Sequence, residues 1–279
     1  MAYIVVSGPS FPMDKQLLVI CFLTFVIHLV GTLAYSVRIA GVRTRRIAVS
    51  FALFNILVLV SRTSNSFQGP FLAKRVENNL GAGSGHNLLL DFRWFLLSAT
   101  FGTLAGALLT PTFQRVFSKA VASFQIHRSV LCLLLHAFSK GGLAHFKDSV
   151  SVPVSAHVTN LHLSPAISPR ILGLNVAAVA LWTVGVFAAL YAGYLNPQFR
   201  VTASTLSSIV NGVATILMFV LIDPQLSVMT DDVVDGKLSE PCFRRAIVWL
   251  VGSRCAGTLL AQVLLLPAAA LIVYIAERL

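Results

Sequence analysis

The sequence predicts an all-α, polytopic membrane protein with six transmembrane helices, on three observations. Of its 279 residues, 56% are hydrophobic and only 11% are charged, and the mean hydropathy of +0.82 lies outside the balance of a soluble domain. Six apolar segments are long enough to cross about 30 Å of hydrocarbon, which takes about 20 helical residues. None of them alternates with the period of two that marks barrel strands, so helices must satisfy the backbone in lipid.

The first segment, Gln16 to Val37, follows a short lead, Met1 to Pro12, with no basic stretch ahead of a small-residue cleavage site, so this span is expected to stay in the membrane. Arg43, Arg45 and Arg46 precede the second, Ile47 to Gly69. The third, Phe92 to Thr110, is expected to stop at Pro111. The fourth, Ile171 to Leu195, opens at Pro169, and Asn196-Pro197 separates it from the fifth, Val201 to Ile222. The sixth is Ala246 to Ala276. Between the third and fourth, Thr112 to Ile126 sets Phe113, Val116, Phe117, Ala120, Val121 and Phe124 on one face, the pattern of a helix lying in the membrane interface. Val130 to Phe138 is too short to span. After Gly141-Gly142, the stretch Ser151 to Pro169 reads as an irregular connection. The chain thus divides into a membrane half at 1–110, an interfacial region at 111–170 and a second membrane half at 171–279.

Lysines and arginines give the orientation. The segments after spans one, three and five carry 13 of them and the opposite side six, which puts the richer side in the cytoplasm and both termini outside. The same bias accounts for the net charge of +11, and the dispersal of these residues among apolar spans argues against nucleic acid as a partner. Cys21, Cys132, Cys242 and Cys255 have no metal-ligand spacing, nor do the loop histidines, so neither a metal site nor a cofactor is expected.

The two membrane halves share matches at an offset of 154 to 156 residues: Val30-Gly31 with Val184-Gly185, Arg46 with Arg200, Asn55 with Asn211, Gly102-Thr103-Leu104 with Gly257-Thr258-Leu259, and Pro111 with Pro267. Because each half has an odd number of spans, a duplication would make two inverted three-helix repeats. Apolar helices also produce such matches by chance, and both readings stand.

The chemistry concentrates on two arginines. Arg62 and Arg254 are the charges deep inside the six segments, and no Asp or Glu lies in those segments to neutralise them. A cation near the bilayer centre is unfavourable by at least about 2.5–3.5 kcal/mol, so such residues face a protein interior or a wet cavity. A guanidinium also binds phosphate oxygens bidentately. Around Arg62 the run SRTSNSFQGP adds Ser61, Ser64, Asn65 and Gln68 as hydrogen-bonding candidates, with Arg62, Asn65 and Gly69 on one helical face. Counted from the segment boundaries, Arg254 lies about 12 Å and Arg62 about 22 Å from the cytoplasmic side, a staggered pair. Serines and threonines in lipid also simply join helices, and an arginine can snorkel. His28, mid-span, reads as a hydrogen-bonded packing residue.

The run GTLAYSVRIAGVRTRRIAVSFALFNILVLVSRTSNSFQGPFLAKRVE, Gly31 to Glu77, resembles the Amj family of bacterial lipid II flippases, an alternative to MurJ-type flippases. The resemblance implies a multi-pass protein of the bacterial cytoplasmic membrane, surrounded by membrane lipids, that carries the undecaprenyl-pyrophosphate-linked peptidoglycan precursor lipid II from the inner to the outer leaflet. The alternative is a membrane enzyme acting on a prenyl pyrophosphate. It needs an acid, base or nucleophile that the spans do not supply. Ser84-Gly85-His86 and Ser61-Arg62 echo fragments of lipid phosphatase signatures without their companion motifs, and no GxxxxGK[ST] phosphate loop is present.

In a cysteine-free background, a single cysteine at Ser84 is expected to react with an impermeant maleimide outside intact cells, and one at Ser151 is not. Labelling at Ser151 would reverse the orientation.

Overall fold

The computed structural model describes residues 14–81, 87–127 (backbone alone at 125–127), 147–151 and 167–279. The lead Met1 to Pro12, the apolar run Val130 to Phe138, the Gly141-Gly142 break and most of the connection that follows lie outside the described residues.

Every described span is helical. Asp14 caps α1 (Lys15–Thr44) by accepting the Leu17 amide at 2.7 Å. Arg45, at φ 53, ends it in a left-handed residue whose amide reaches back to the last carbonyls, so α2 (Ile47–Gly81) begins after a turn of only two residues. α3 is Leu88–His127, and α4 (Pro169–Leu195) is capped by Ser168 with proline in its first turn. The fifth span is composite: a 3-10 turn at Pro197–Phe199, α5 (Arg200–Thr205), α6 (Ser207–Ile216), a π-helical turn at Leu217–Ile222 and α7 (Asp223–Val234). α8 is Glu240–Ala276. Six units, counting Pro197–Val234 as one, are long and apolar enough to cross a membrane.

Several boundaries differ from the sequence reading. Pro111 was taken as a stop, yet it sits inside α3, as Pro70 sits inside α2 just past the expected end of the second span and Pro267 inside α8. In a packed membrane helix the freed carbonyl is tolerated, because neighbouring groups and local adjustment satisfy it. The boundary set at residue 110 therefore falls within α3. The expected interfacial helix is a continuation of α3, and it does not lie apart: Phe117 and Phe113 pack with Val37 and Ala40 of α1 and Phe54 and Leu57 of α2. The fifth span likewise runs past Ile222. Pro224 has no amide proton to give Val220, and the turn before it widens so that the Asp223 amide bonds to Met218.

Within each half the first and third helices form the tight pair, α1 with α3 and α4 with α8, and the middle span lies outside against the first. Glycines make both pairs possible. A carbon added at Gly102 would overlap the Phe25 carbonyl, and one at Gly257 would sit 2.8 Å from the Val176 carbonyl and the Val179 side chain. α3 and α8 join the halves. At the Lys15 end of the bundle an aromatic cluster of Phe92, Phe95, Phe187 and Tyr191 packs edge to face. There too the buried Arg75 of α2 bonds Asp91 of α3 at 2.7 Å and also Asp14. The Thr44 end has its own core, in which Tyr35, Ile39 and Val42 meet Ile222, Leu226, Phe243 and Leu250.

Overpacking a close helix contact typically costs about 1–3 kcal/mol. Gly102→Leu and Gly257→Leu are expected to reduce recovery of monodisperse protein severalfold. Gly212→Leu, whose added carbon meets nothing within 4 Å, should leave it unchanged. Equal recovery of all three would remove glycine-mediated packing as the basis of the pairs.

Candidate functional site

Between the two end cores lies a cavity of about 460 Å³. α1 and α4 form its floor, through Thr24, His28, Gly31, Tyr35 and Arg38 on one and Asn175, Thr183 and Phe187 on the other. One wall is α2, whose lining residues Phe51, Phe54, Asn55, Val58, Ser61, Arg62, Asn65 and Gln68 follow helical spacing along a single face. The other wall is the fifth span, through Asn211, Thr215, Met218, Phe219, Ile222 and Asp223. These two walls rest on the floor and have at most marginal contact with one another. Among the described residues a slot therefore separates the two walls on the side away from the floor.

Five of the six candidate residues line this cavity: Arg62, Arg254, Asn65, Ser61 and Gln68. Gln68 is committed in part, since its amide donates to Thr24 Oγ1 and ties α2 to α1. Ser64 does not line the cavity. Its hydroxyl donates to the Val60 carbonyl one turn back at 2.9 Å, the usual use of a membrane serine. Gly69 lies off the lining as well.

Arg254 is 7% exposed and forms no ion pair among the described residues. Its guanidinium fills the space left by Gly31, where an added carbon would overlap Nη2 and lie 3.3 Å from Cζ. Tyr35 lies beside it, and Nε has no hydrogen-bond partner among the described residues. Asn175 of α4 donates to the adjacent Ser253 Oγ at 2.7 Å and, one turn earlier, to the Leu250 carbonyl at 3.2 Å, which locks the rotation of α8 that aims Arg254 inward. Arg62 is exposed on the α2 wall, free of ion pairs among the described residues.

The staggered depths expected for the two arginines do not hold. α8 begins at Glu240, six residues before the expected boundary, so Arg254 is about 21 Å and Arg62 about 22 Å from the starts of their helices. Contacts agree with that count. α2 runs antiparallel to α1 with Gln68 beside Thr24 and Ser50 beside Gly41, a register that sets Arg62 opposite Val30. Arg254 lies against Gly31. The two arginines stand at one level in the lining of one cavity, suited to grip the same anion.

The lining also holds charges that the sequence reading placed outside the membrane. Arg38 and Asp223 form an ion pair at 3.2 Å toward the Thr44 end, so the cavity is not free of acidic groups. Hydropathy ended each span at its first charge, whereas both helices continue beyond it. Asn55 and Asn211, which the sequence reading did not count among the site residues, line opposite walls, and Asn211 Oδ1 is buried without a partner among the described residues. Their match at the repeat offset was the available signal. His28 was expected to be hydrogen-bonded, yet its buried Nδ1 has no partner among the described residues. Three arginines, one aspartate and a set of amides and hydroxyls together suit a polyanion of the size of a diphosphate.

The family described as "Amj: Alternate to MurJ" matches residues 23–276. The chain is 36% identical over 272 residues to the Bacillus subtilis (strain 168) protein named Lipid II flippase Amj, an alignment that covers 94% of this chain and 97% of that one. No solved structure matches the chain.

Gly31→Ala is expected to lower the thermal midpoint in the wild-type background, because the guanidinium of Arg254 must leave its seat. In an Arg254→Ala background the same change should cost little. A coupling of about 1–3 kcal/mol in this double-mutant cycle checks the contact, and additivity would refute it.

Proposed function

The chain belongs to the Amj family, and on that premise we propose that it carries lipid II across the bacterial cytoplasmic membrane through the cavity between α2 and the fifth span. One observation carries the reading: Arg62 and Arg254 face the same cavity at the same level, with no carboxylate paired to either among the described residues. A mobile anion is the partner this arrangement lacks. The pyrophosphate of lipid II supplies it, and Ser61, Asn65 and Gln68, with Asn55 and Asn211, replace water around its oxygens.

The side slot accounts for the lipid. The isoprenoid chain stays in the bilayer while the charged group moves along the cavity, so the protein has only to shield the diphosphate and the sugar and peptide beyond it. A cavity of about 460 Å³ holds the diphosphate and its adjoining sugar, and passage of the remainder requires the walls to part. Both walls are suited to that movement. α2 contacts chiefly α1, and the fifth span chiefly α4, so each can shift with its own half. The helices α1 to α3 and α4 to α8 then act as the two halves of an alternating-access device, with the Thr44 end facing the cytoplasm.

Arg62→Ala and Arg254→Ala are each expected to abolish lipid II translocation per folded molecule in proteoliposomes. Lysine should restore part of it and glutamine none, since lysine keeps the charge and loses the fork. An arginine that only packs or snorkels would tolerate lysine or glutamine and would show its alanine defect as lost abundance. Near-normal transport by both alanine variants would remove the mechanism. The purified protein is expected to release no phosphate from a prenyl pyrophosphate, and steady release that Arg62→Ala abolishes would favour the enzyme.

A further inference from the structure

We propose that Arg38 is a third phosphate-binding residue, at the end of the cavity nearest Thr44, and that Asp223 is the carboxylate it gives up when the phosphate arrives. The inference rests on the reading of the cavity as an anion path and adds the residue that receives the anion first.

Arg38 stands where three helices meet. It belongs to α1, its Nη2 bonds Asp223 Oδ1 of the fifth span at 3.2 Å, and its guanidinium carbon lies 5.1 Å over the ring of Phe51 on α2. All three residues line the cavity. The Arg38 side chain is 11% exposed and that of Asp223 40%, so the cation is held inside while its partner is the more accessible of the two. The pair is incomplete. A guanidinium has five donors in a planar fork that fits a carboxylate through two parallel bonds, but here one bond forms and Nη1 is buried with no partner among the described residues. The fork is thus loaded at one tine.

A phosphate offers more negative charge and more acceptor oxygens than one carboxylate, and it can engage both Nη groups. Exchange also avoids an intermediate with an uncompensated buried cation, because Asp223 leaves as the phosphate binds. Asp223 is placed to leave: it is partly exposed and follows the widened turn Leu217–Ile222, the least regular point of the wall. The neighbouring pairs of Glu240 with Arg43 and Arg244 differ, since none of these residues lines the cavity. They hold the rim, whereas Arg38 faces the path. From Arg38 to the Gly31 seat of Arg254 is about 10 Å along α1, a step that a diphosphate can cover by moving from one fork to the next.

A structural ion pair is symmetric, so losing either partner acts in the same direction. An exchange site is antisymmetric. The test measures stabilisation of the purified protein against heating by magnesium-free inorganic pyrophosphate. Asp223→Asn is expected to bind the probe severalfold more tightly than wild type, Arg38→Ala at least tenfold more weakly, and the double variant like Arg38→Ala. If Arg38→Ala fails to fold, Arg38→Gln takes its place, and Asp223→Asn alone still decides the sign. Weaker or unchanged binding by Asp223→Asn overturns the proposal, as does wild-type protein that does not bind pyrophosphate. Opposite signs in a protein that translocates no lipid II would keep the site and remove the function proposed above. Equal signs in a protein that does translocate it would remove only this inference.

Discussion

A guanidinium buried at mid-depth, with no carboxylate paired to it among the described residues, is the constraint on which the rest of this structure depends. Arg254 cannot be left to lipid, and the fold answers with space from Gly31, the neighbouring Tyr35, and a rotation of α8 fixed by Asn175. Contrast Arg75, equally buried, which Asp91 and Asp14 neutralise from two helices. One cation is used up in holding helix ends together and the other is kept available. That difference in partners, and not burial itself, separates a structural arginine from one that awaits a ligand.

The architecture around the cavity repeats its solutions. Gly102 lets α3 close on α1, and Gly257 lets α8 close on α4. Asn55 and Asn211 look into the cavity from opposite walls, and Gly31 and Gly185 give room to a polar side chain, the first to Arg254 and the second to Asn211. Each of these pairs is separated by 154 to 156 residues in the chain. These matched positions have like roles in the two halves.

Much of this was legible in the sequence because membrane helices announce themselves by length and by their lack of charge. The six spans, the paired arginines and the polar face of α2 follow from that alone. What was not legible follows from the same signal. Hydropathy stops at the first charge, so Arg38 and Asp223 were assigned to loops although their helices run on and bring them together. Starting α8 six residues late displaced Arg254 by almost two turns and made a level pair look staggered. Pro111 read as an end because propensity scales come from water, where proline interrupts a helix that packing would sustain in a membrane. Ser64 and its neighbours on α2 show the limit of composition: a hydroxyl that bonds its own helix and one that faces a cavity look alike in a string of letters.

The slot between α2 and the fifth span means that the described residues enclose the cavity on only part of its perimeter. On the transport reading proposed above, acyl chains complete the boundary, so the bilayer is a component of the site, as much as any helix. Acyl order, thickness and headgroup charge then enter the binding equilibrium directly, and the same polypeptide in a detergent micelle has a different fourth wall. Tail length drops out of recognition by the same logic, because each added isoprene unit is solvated by lipid on both sides of the step and contributes nothing to the difference between them.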